Sequence, residues 1–437
     1  MLRRYLTLFL IIVMALAITG TDVFAYKKIK VFMPQPPELS LNGVTQIAVL
    51  DFKPAAGTSR ELGKYVADKL IENLLTENRG IRDFQGGLLS SGVDGVSLVK
   101  GISTKCYSVV ERSRLESVLS EQAISEDGLV DDAQAAQVGK LLGVKVLLYG
   151  DVSVSSTDNV TTETRVSLSG NNRQEYQVKC QNRTVTVSAN LRLVDTETGE
   201  ILGTRSTGRT RTTKWCEGDK GAIGTVGQLA ATCANGVAWE FANLISPWYG
   251  FGEFELEKIK VKEYKDEAED AAKAAEELEI ERAYAIYKKL YDADSYNPQF
   301  LYNMGIIYEV TGDFEKAKEM YDGAVMLKDE KDYKEAAERI AGRMPLISFY
   351  ESIGTPIELY DFEAAASDAS LLAKKITVKG GSDERIDVYE QPDDNSEVAA
   401  KVPGGIQFEV VEESGDYYLV KLLGGKQGYI KKDKTND

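Results

Sequence analysis

The chain has 437 residues, enough for two or three domains. It carries 52 basic and 68 acidic side chains, a net charge of -16, and this balance argues against nucleic acid as a partner. It contains no histidine, which excludes Ser-His-Asp and Cys-His catalysis and removes the commonest metal ligand.

Residues 1–25 have the pattern of a cleaved signal peptide. Arg3 and Arg4 precede an apolar run, and Ala25 ends a small-residue cleavage site. A single membrane anchor is the alternative, although the apolar run is short for a span. We therefore expect an exported, periplasmic protein in which disulfides are permitted. Residues 26–44 hold three prolines and are interpreted as an extended lead-in.

Residues 45–250 alternate between strand-like and helix-like patterns, which predicts an α/β domain with helices packed on a mixed sheet. The stretch 46–52 is rich in branched apolar residues and is interpreted as a buried strand. Thr58 and Glu61 have capping-box spacing, so a helix is expected to begin there.

The stretch 107–122 predicts a second strand that runs directly into a helix. Ser113 and Glu116 have capping-box spacing, so Ser113 is expected to cap this helix. Glu111 and Arg112 lie just before that cap. Because no cysteine or second carboxylate cluster stands beside them in the sequence, we interpret the pair as architectural and expect no catalytic residues here.

The four cysteines contain no CxxC pair, so neither a zinc site nor a redox motif is expected. Cys180 and Cys216 flank a predicted hairpin that turns at residues 196–199, and they are equally distant from that turn. We predict a cross-strand disulfide between them; two free thiols are the alternative.

Residues 255–345 are strongly helical and contain a weak internal repeat. Ala283 and Ala317 are 34 residues apart, as are Tyr287 and Tyr321. Six positions of the second unit carry the tetratricopeptide (TPR) packing pattern: Leu301, Gly305, Tyr308, Ala317, Tyr321 and Ala324. The stretch resembles one TPR repeat with partial neighbours. This resemblance implies helical hairpins that form either a peptide-binding groove or a helical spacer.

A linker is expected over residues 346–375, and residues 376–433 then show short strands with glycine turns, which predict a small all-β barrel. Their order of Val, Gly and Tyr residues resembles the bacterial SH3 family. The resemblance implies binding of a peptidoglycan peptide or a protein, with Tyr389, Tyr417 and Tyr418 as candidate ligand-stacking residues.

Four motifs occur in order between residues 44 and 247: "IAVLDF", "YSVVERSRLESVLSEQ", "VGKLLGVKVLLYGDV" and "VTVSANLRLVDTETGEIL". Together they resemble the CsgG family, which contains the curli production assembly and transport components. The family-marking positions are Asp51, Glu111, Arg112, Ser113, Glu116 and Gly150.

The CsgG resemblance implies either a soluble periplasmic scaffold or an oligomeric outer-membrane secretion channel. A channel hairpin needs an apolar face, but residues 152–182 and 202–220 are mostly polar. The cysteine that carries the lipid in curli channels is also missing. We therefore expect an assembly or scaffold factor that binds envelope proteins or further copies of itself, with outer-membrane association as the alternative.

Enzymatic motifs are not found in the sequence. It contains neither a Walker phosphate loop nor a GxSxG nucleophile elbow. We expect no enzymatic activity and no cofactor.

Overall fold

The computed structural model describes the chain in six stretches: residues 27–83, 95–121, 132–169, 172–368, 371–422 and 426–436. The signal peptide predicted for residues 1–25 lies outside them. Within these stretches, no helix combines the length and apolar character needed to cross a membrane. The fold has an α/β part, a helical middle part and an all-β C-terminal part.

The α/β part contains eight described strands and four described helices. In chain order they are β1 (Lys28–Gln35), β2 (Gln46–Val49), β3 (Lys53–Pro54), α1 (Arg60–Leu75), β4 (Ser108–Val109), α2 (Arg112–Glu121), α3 (Asp132–Leu142), β5 (Val146–Ser169), β6 (Asn172–Asp195), β7 (Ile201–Cys216), α4 (Val226–Ile245) and β8 (Trp248–Glu255).

The main sheet has the strand order β4-β2-β5-β6-β7, and β3 pairs with β5. β2 runs parallel to β4 and β5, whereas β5, β6 and β7 are antiparallel. Helices α1 and α4 cover one face with side chains such as Leu70 and Phe241, and α2 and α3 cover the other with Leu119 and Val138. The predicted mixed α/β class of this part is confirmed.

Strands β5 and β6 form a hairpin that extends well beyond the helices. Their register is unbroken from Val146 opposite Asp195 to Ser169 opposite Asn172. Each strand has 24 residues, which corresponds to about 80 Å of extended chain. β7 accompanies them only as far as Cys216. Val185 is the last β6 residue buried against the helices, and it lies opposite Ser156 and Arg211. We call the part of the three strands on the far side of this row the arm; it comprises residues 157–169, 172–184 and 212–216.

Strands β1 and β8 pair with each other in a separate antiparallel ribbon. The lead-in predicted as merely extended is therefore largely a strand. Ile29, Val31 and Phe254 are buried, but they pack in the same cluster as the helical middle part rather than against the main sheet. The ribbon thus joins the two parts.

The helical middle part follows β8 directly. Its helices are α5 (Lys265–Glu276), α6 (Ile280–Ala293), α7 (Pro298–Thr311), α8 (Phe314–Leu327), α9 (Lys331–Ala341), α10 (Pro345–Ser352) and α11 (Phe362–Ser367). The sequence sets the α7 ends clearly. Asn297 accepts a hydrogen bond from the Gln299 N–H, Pro298 occupies the first helical position, and Gly312 ends the helix with φ 93°.

The C-terminal part is an antiparallel sheet of short strands with the order β11-β10-β14-β13-β12-β9-β15. Its strands are β9 (Lys375–Val378), β10 (Arg385–Tyr389), β11 (Val398–Pro403), β12 (Gln407–Ser414), β13 (Tyr417–Lys421), β14 (Gln427–Lys431) and β15 (Thr435–Asn436). Ile376, Val388 and Ile430 are among its core residues. The all-β class predicted here is confirmed.

Neither of the two predicted caps is formed by the residue that the sequence indicated. Ser59, not Thr58, caps α1 by accepting a 3.1 Å hydrogen bond from the Glu61 N–H. Ser113 does not cap α2, because the helix already begins at Arg112. The Glu111 carbonyl accepts the first helical hydrogen bond, so Ser113 lies within the first turn.

Candidate functional site

The family-marking positions lie after β2, at the start of α2 and near the start of β5, so they are distributed over three separate segments of the chain. Glu111, Ser113 and Glu116 are exposed, and Asp51 is half-buried. Gly150 has a clear structural reason: a Cβ there would lie 1.9 Å from the Asn190 carbonyl oxygen. These residues therefore support an architectural interpretation.

A buried arginine that the sequence did not single out joins the ends of two helices. Arg79 is 2% exposed, and its guanidinium donates 2.9 Å hydrogen bonds to the carbonyls of Asn73, Ser246 and Pro247. Burial lowers the pKa of Arg79 to about 10, so it stays charged at neutral pH. It acts as a C-terminal cap for α1 and α4.

The free thiol beside this arginine is unsuited to nucleophilic chemistry. Burial raises the pKa of Cys106 to about 12, although the nearby Arg79 acts in the opposite direction. Because the thiolate is the reactive form, this raised pKa disfavours nucleophilic reaction of Cys106 at neutral pH.

Cys180 and Cys216 lie directly opposite each other on β6 and β7, and a disulfide joins them. Glu163 has a carboxylate oxygen close to both sulfur atoms. These three residues are the one group within the described stretches with the ligand types and proximity of a metal site. The two sulfurs are bonded to each other, so they are not available as thiolate ligands.

The surface of the arm is polar on the side that carries the disulfide. The hydroxyls of Thr184 and Thr212 are hydrogen-bonded to each other at 3.0 Å, and next to the arm those of Thr186 and Thr210 are hydrogen-bonded at 2.8 Å. Cross-strand hydrogen bonds of this kind stabilise the sheet in water. The end of the arm next to the helices thus presents hydrogen-bonded hydroxyl groups, whereas Val160, Val166 and Tyr176 are exposed farther along it.

The six TPR-pattern residues lie on α7 and α8 and are all buried. Gly305 permits the helices to approach, since a Cβ there would lie 2.6 Å from the Tyr321 ring. The Tyr321 hydroxyl donates to the fully buried Glu309 at 2.7 Å. The pattern thus marks a packing contact; assignment as TPR repeats remains a prediction.

Glu309, which the sequence analysis missed, is the centre of a buried ionic network. Its carboxylate accepts hydrogen bonds from Arg339 at 2.9 and 2.8 Å and from Arg343 at 3.1 Å. Arg343 also donates to the Pro34 carbonyl at 2.7 Å, which connects the network to β1. A glutamate inside an apolar helix pattern was the available sequence signal.

The helical surface formed by α5, α7 and α9 is partly covered by the chain's own segment after β8. The Asn303 amide donates to the Glu257 carbonyl and accepts from the Glu257 N–H, both at 2.8 Å. Leu256 and Ile259 are buried against the helices. Of the two interpretations predicted for this part, spacer and peptide groove, the spacer is favoured for this portion of the surface.

The three candidate stacking tyrosines of the C-terminal part differ in exposure. Tyr418 is 3% exposed in the core, and Tyr417 is 8% exposed with its hydroxyl donating to Asp394 at 2.5 Å. This burial does not favour a stacking role for these two residues, and the role remains a prediction. Tyr389 is half-buried and lies opposite the half-buried Tyr429, and this pair is the more exposed aromatic candidate.

Two family models match the chain. The CsgG model, described as curli production assembly/transport component, matches residues 88–234, and the bacterial SH3 model matches residues 384–434. The chain contains a CsgG domain and a bacterial SH3 domain. The CsgG match covers β4 through the first half of α4, and the bacterial SH3 match covers β10 through β14. No curated protein sequence matches the chain.

Solved structures similar to the chain include three bacterial proteins. The LpoB C-terminal domain from Salmonella enterica is 13% identical, with 38% of this chain and 83% of that chain covered and a TM-score of 0.21. The PelC dodecamer from Paraburkholderia phytofirmans is 12% identical, covering 49% and 98%, with a TM-score of 0.20. Lipoprotein GNA1162 from Neisseria meningitidis is 16% identical, covering 44% and 98%, with a TM-score of 0.20.

Proposed function

We propose that this chain is a non-catalytic, exported envelope protein that acts as an assembly or scaffold factor in the periplasm. The family description of its CsgG domain names assembly and transport, and bacterial SH3 domains bind peptides or proteins. The partners are envelope proteins or further copies of the chain, with a peptidoglycan peptide as the candidate ligand of the SH3 domain.

The observation that carries this proposal is that the buried charged side chains Arg79 and Glu309 connect elements of the fold. Arg79 joins the ends of two helices, and Glu309 joins helices to the ribbon through Arg343. Perturbed groups of this kind often mark active sites, but here both side chains bind structural partners: the Arg79 terminal nitrogens donate to three backbone carbonyls, and Glu309 accepts from two arginines.

The proposal is tested by fractionation of cells that express the native gene, with carbonate and detergent extraction followed by sizing. We expect the protein in the periplasmic fraction, released without detergent. Recovery only as a detergent-extracted outer-membrane ring would overturn the proposal in favour of a secretion channel of the curli type.

A further inference from the structure

Strand β8 pairs with β1 along one edge and has an open stretch on the other. The Leu256 N–H donates to the Lys27 carbonyl at 2.9 Å, which fixes the hydrogen-bonded register. In an antiparallel pair the backbone N–H and C=O groups of successive residues point alternately toward the partner strand and away from it. Because those of Leu256 point toward β1, those of Glu253 and Glu255 point away from it. No backbone partner lies opposite them within the described stretches.

Both ends of this open stretch are already paired in a strand-like way. At one end the Tyr249 N–H donates to the Arg79 carbonyl at 2.8 Å. At the other end the Asn303 side-chain amide pairs with both backbone groups of Glu257, as a neighbouring strand would. The edge therefore has the geometry to accept a strand, and the gap between the ends is short.

A groove of about 470 Å³ runs beside this edge. Tyr302 and Ile306 of α7 and Tyr333 of α9 line its helical side, and Glu253 and Glu255 line its strand side. The groove thus offers main-chain partners on one side, as in sites where a peptide adds to a sheet edge. On its helical side Tyr302, Ile306 and Tyr333 are nearly buried, so the exposed side chains there are charged, such as Asp332 and Glu335.

The charge of the groove favours a basic occupant. Six carboxylates line it: Glu253, Glu255, Glu257, Glu330, Asp332 and Glu335. Three cations also line it, Lys260, Lys328 and Arg339, but Arg339 is bound to the buried Glu309. Four of the carboxylates already lie within 4 Å of a lysine: Glu253 and Glu255 of Lys28, Glu330 of Lys328, and Glu335 of Lys331. The six carboxylates therefore exceed the four nearby lysines by two, which leaves a net negative charge at the groove. On its other edge β8 already pairs with a strand of this kind, because Lys28 lies within 4 Å of the carboxylates of Glu253 and Glu255.

We infer that the open edge of β8 binds an extended, lysine-rich segment of a partner protein by strand addition, with its main chain on Glu253 and Glu255 and its basic side chains toward the groove carboxylates. Only the identification of the partner as an envelope protein rests on the proposed scaffold function. Peptide binding and cellular location are measured separately, so either can fail without the other.

The test uses the full chain and a labelled peptide with the sequence Lys-Lys-Ile-Lys-Val-Phe, which copies residues 27–32. Fluorescence anisotropy should show binding that weakens as salt is raised, because charges steer the contact. The charge-reversed peptide Glu-Glu-Ile-Glu-Val-Phe should not bind. Absence of binding by the basic peptide, or equal binding by both, would overturn the inference.

Variants on one helix separate the groove from general surface charge. The double variant D332K/E335K reverses two exposed groove carboxylates and should weaken peptide binding about tenfold. E338K makes the same type of change at an exposed α9 position outside the groove lining and should leave binding within about twofold. Equal loss in both would count against a local site.

Strand addition itself is tested at Glu255. E255P removes the outward N–H without touching a β1 hydrogen bond and should weaken binding about tenfold, whereas E255Q keeps that N–H and should retain most of it. Unchanged circular dichroism and melting temperature would establish that E255P still folds. A folded E255P that binds like E255Q would show that no strand is added.

Discussion

Gly150 is a residue whose identity the backbone dictates, because its neighbours leave no room for a side chain. In Gly150→Ala the new Cβ would meet the Asn190 carbonyl oxygen at 1.9 Å and the Phe52 ring at 2.8 Å. We expect the free energy of unfolding to fall by about 2–3 kcal/mol, as for other overpacked cores. Urea unfolding followed by circular dichroism measures this loss.

A glycine in open space supplies the control for that substitution. A Cβ at Gly227, in the first turn of α4, would meet nothing within 4 Å. Gly227→Ala should therefore leave stability unchanged or raise it by up to about 1 kcal/mol. Equal destabilisation by both substitutions would contradict the steric explanation for Gly150.

The Glu309 carboxylate is the ion-pair partner of both Arg339 and Arg343. Glu309→Gln would leave Arg343, which is buried, without its carboxylate, and we expect a loss of about 3 kcal/mol in the free energy of unfolding. Glu338→Gln changes an exposed carboxylate on α9 and should alter stability by less than about 0.5 kcal/mol. Thermal unfolding of both variants decides, and an unaffected Glu309→Gln would show that the network contributes nothing.

The Cys106 thiol should resist alkylation while the protein is folded. Its pKa is raised to about 12, so at pH 8 almost all of it is protonated, whereas an unfolded cysteine has a pKa of about 8.5. Iodoacetamide labelling followed by mass spectrometry should be slow in buffer and fast in urea. Rapid labelling in the folded state would place this thiol in a reactive environment.

At the scale of elements, the disulfide joins β6 to the last residue of β7 within the arm. Cys180 and Cys216 are 36 residues apart, and a loop of this length corresponds to about 3–4 kcal/mol in the chain-entropy model. The C180A/C216A variant should lose stability of this order. The wild-type protein in reductant should lose a similar free energy of unfolding. The C106A variant in oxidising buffer keeps the disulfide and should not show this loss.

Elements with local signals were predictable from the sequence, and those fixed by distant contacts were not. The β6–β7 hairpin follows from alternating residues around a turn, and α7 follows from its proline and glycine ends. The β1–β8 pairing joins residues such as Lys28 and Glu255, far apart in the sequence, so no local pattern contains it. The Asn303 contact with Glu257 and the network at Glu309 depend on the same long-range packing, and sequence analysis missed both.

At the scale of the whole molecule, the ribbon makes the α/β part depend on the helical part. The buried side chains Ile29, Val31 and Phe254 belong to the helical core, and Arg343 holds the Pro34 carbonyl. In contrast, the helical part meets the C-terminal sheet through partly exposed pairs such as Lys375 and Glu279 at 3.0 Å, which contribute little. The predicted boundary at residue 250 cuts through β8, so it does not separate two independent units.

This dependence predicts how shortened chains will behave. A chain of residues 27–368 keeps the ribbon with both of its neighbours and should unfold in one cooperative transition near the temperature of the full chain. A chain of residues 45–250 loses β1, and with it all of the β1–β8 pairing, together with the helical core beneath the ribbon. It should therefore melt lower and be cleaved faster by protease. Calorimetry and limited proteolysis compare the two. If the shorter chain melts at the same temperature, the ribbon is only a passive connection, and the α/β part would be free to move relative to the helices.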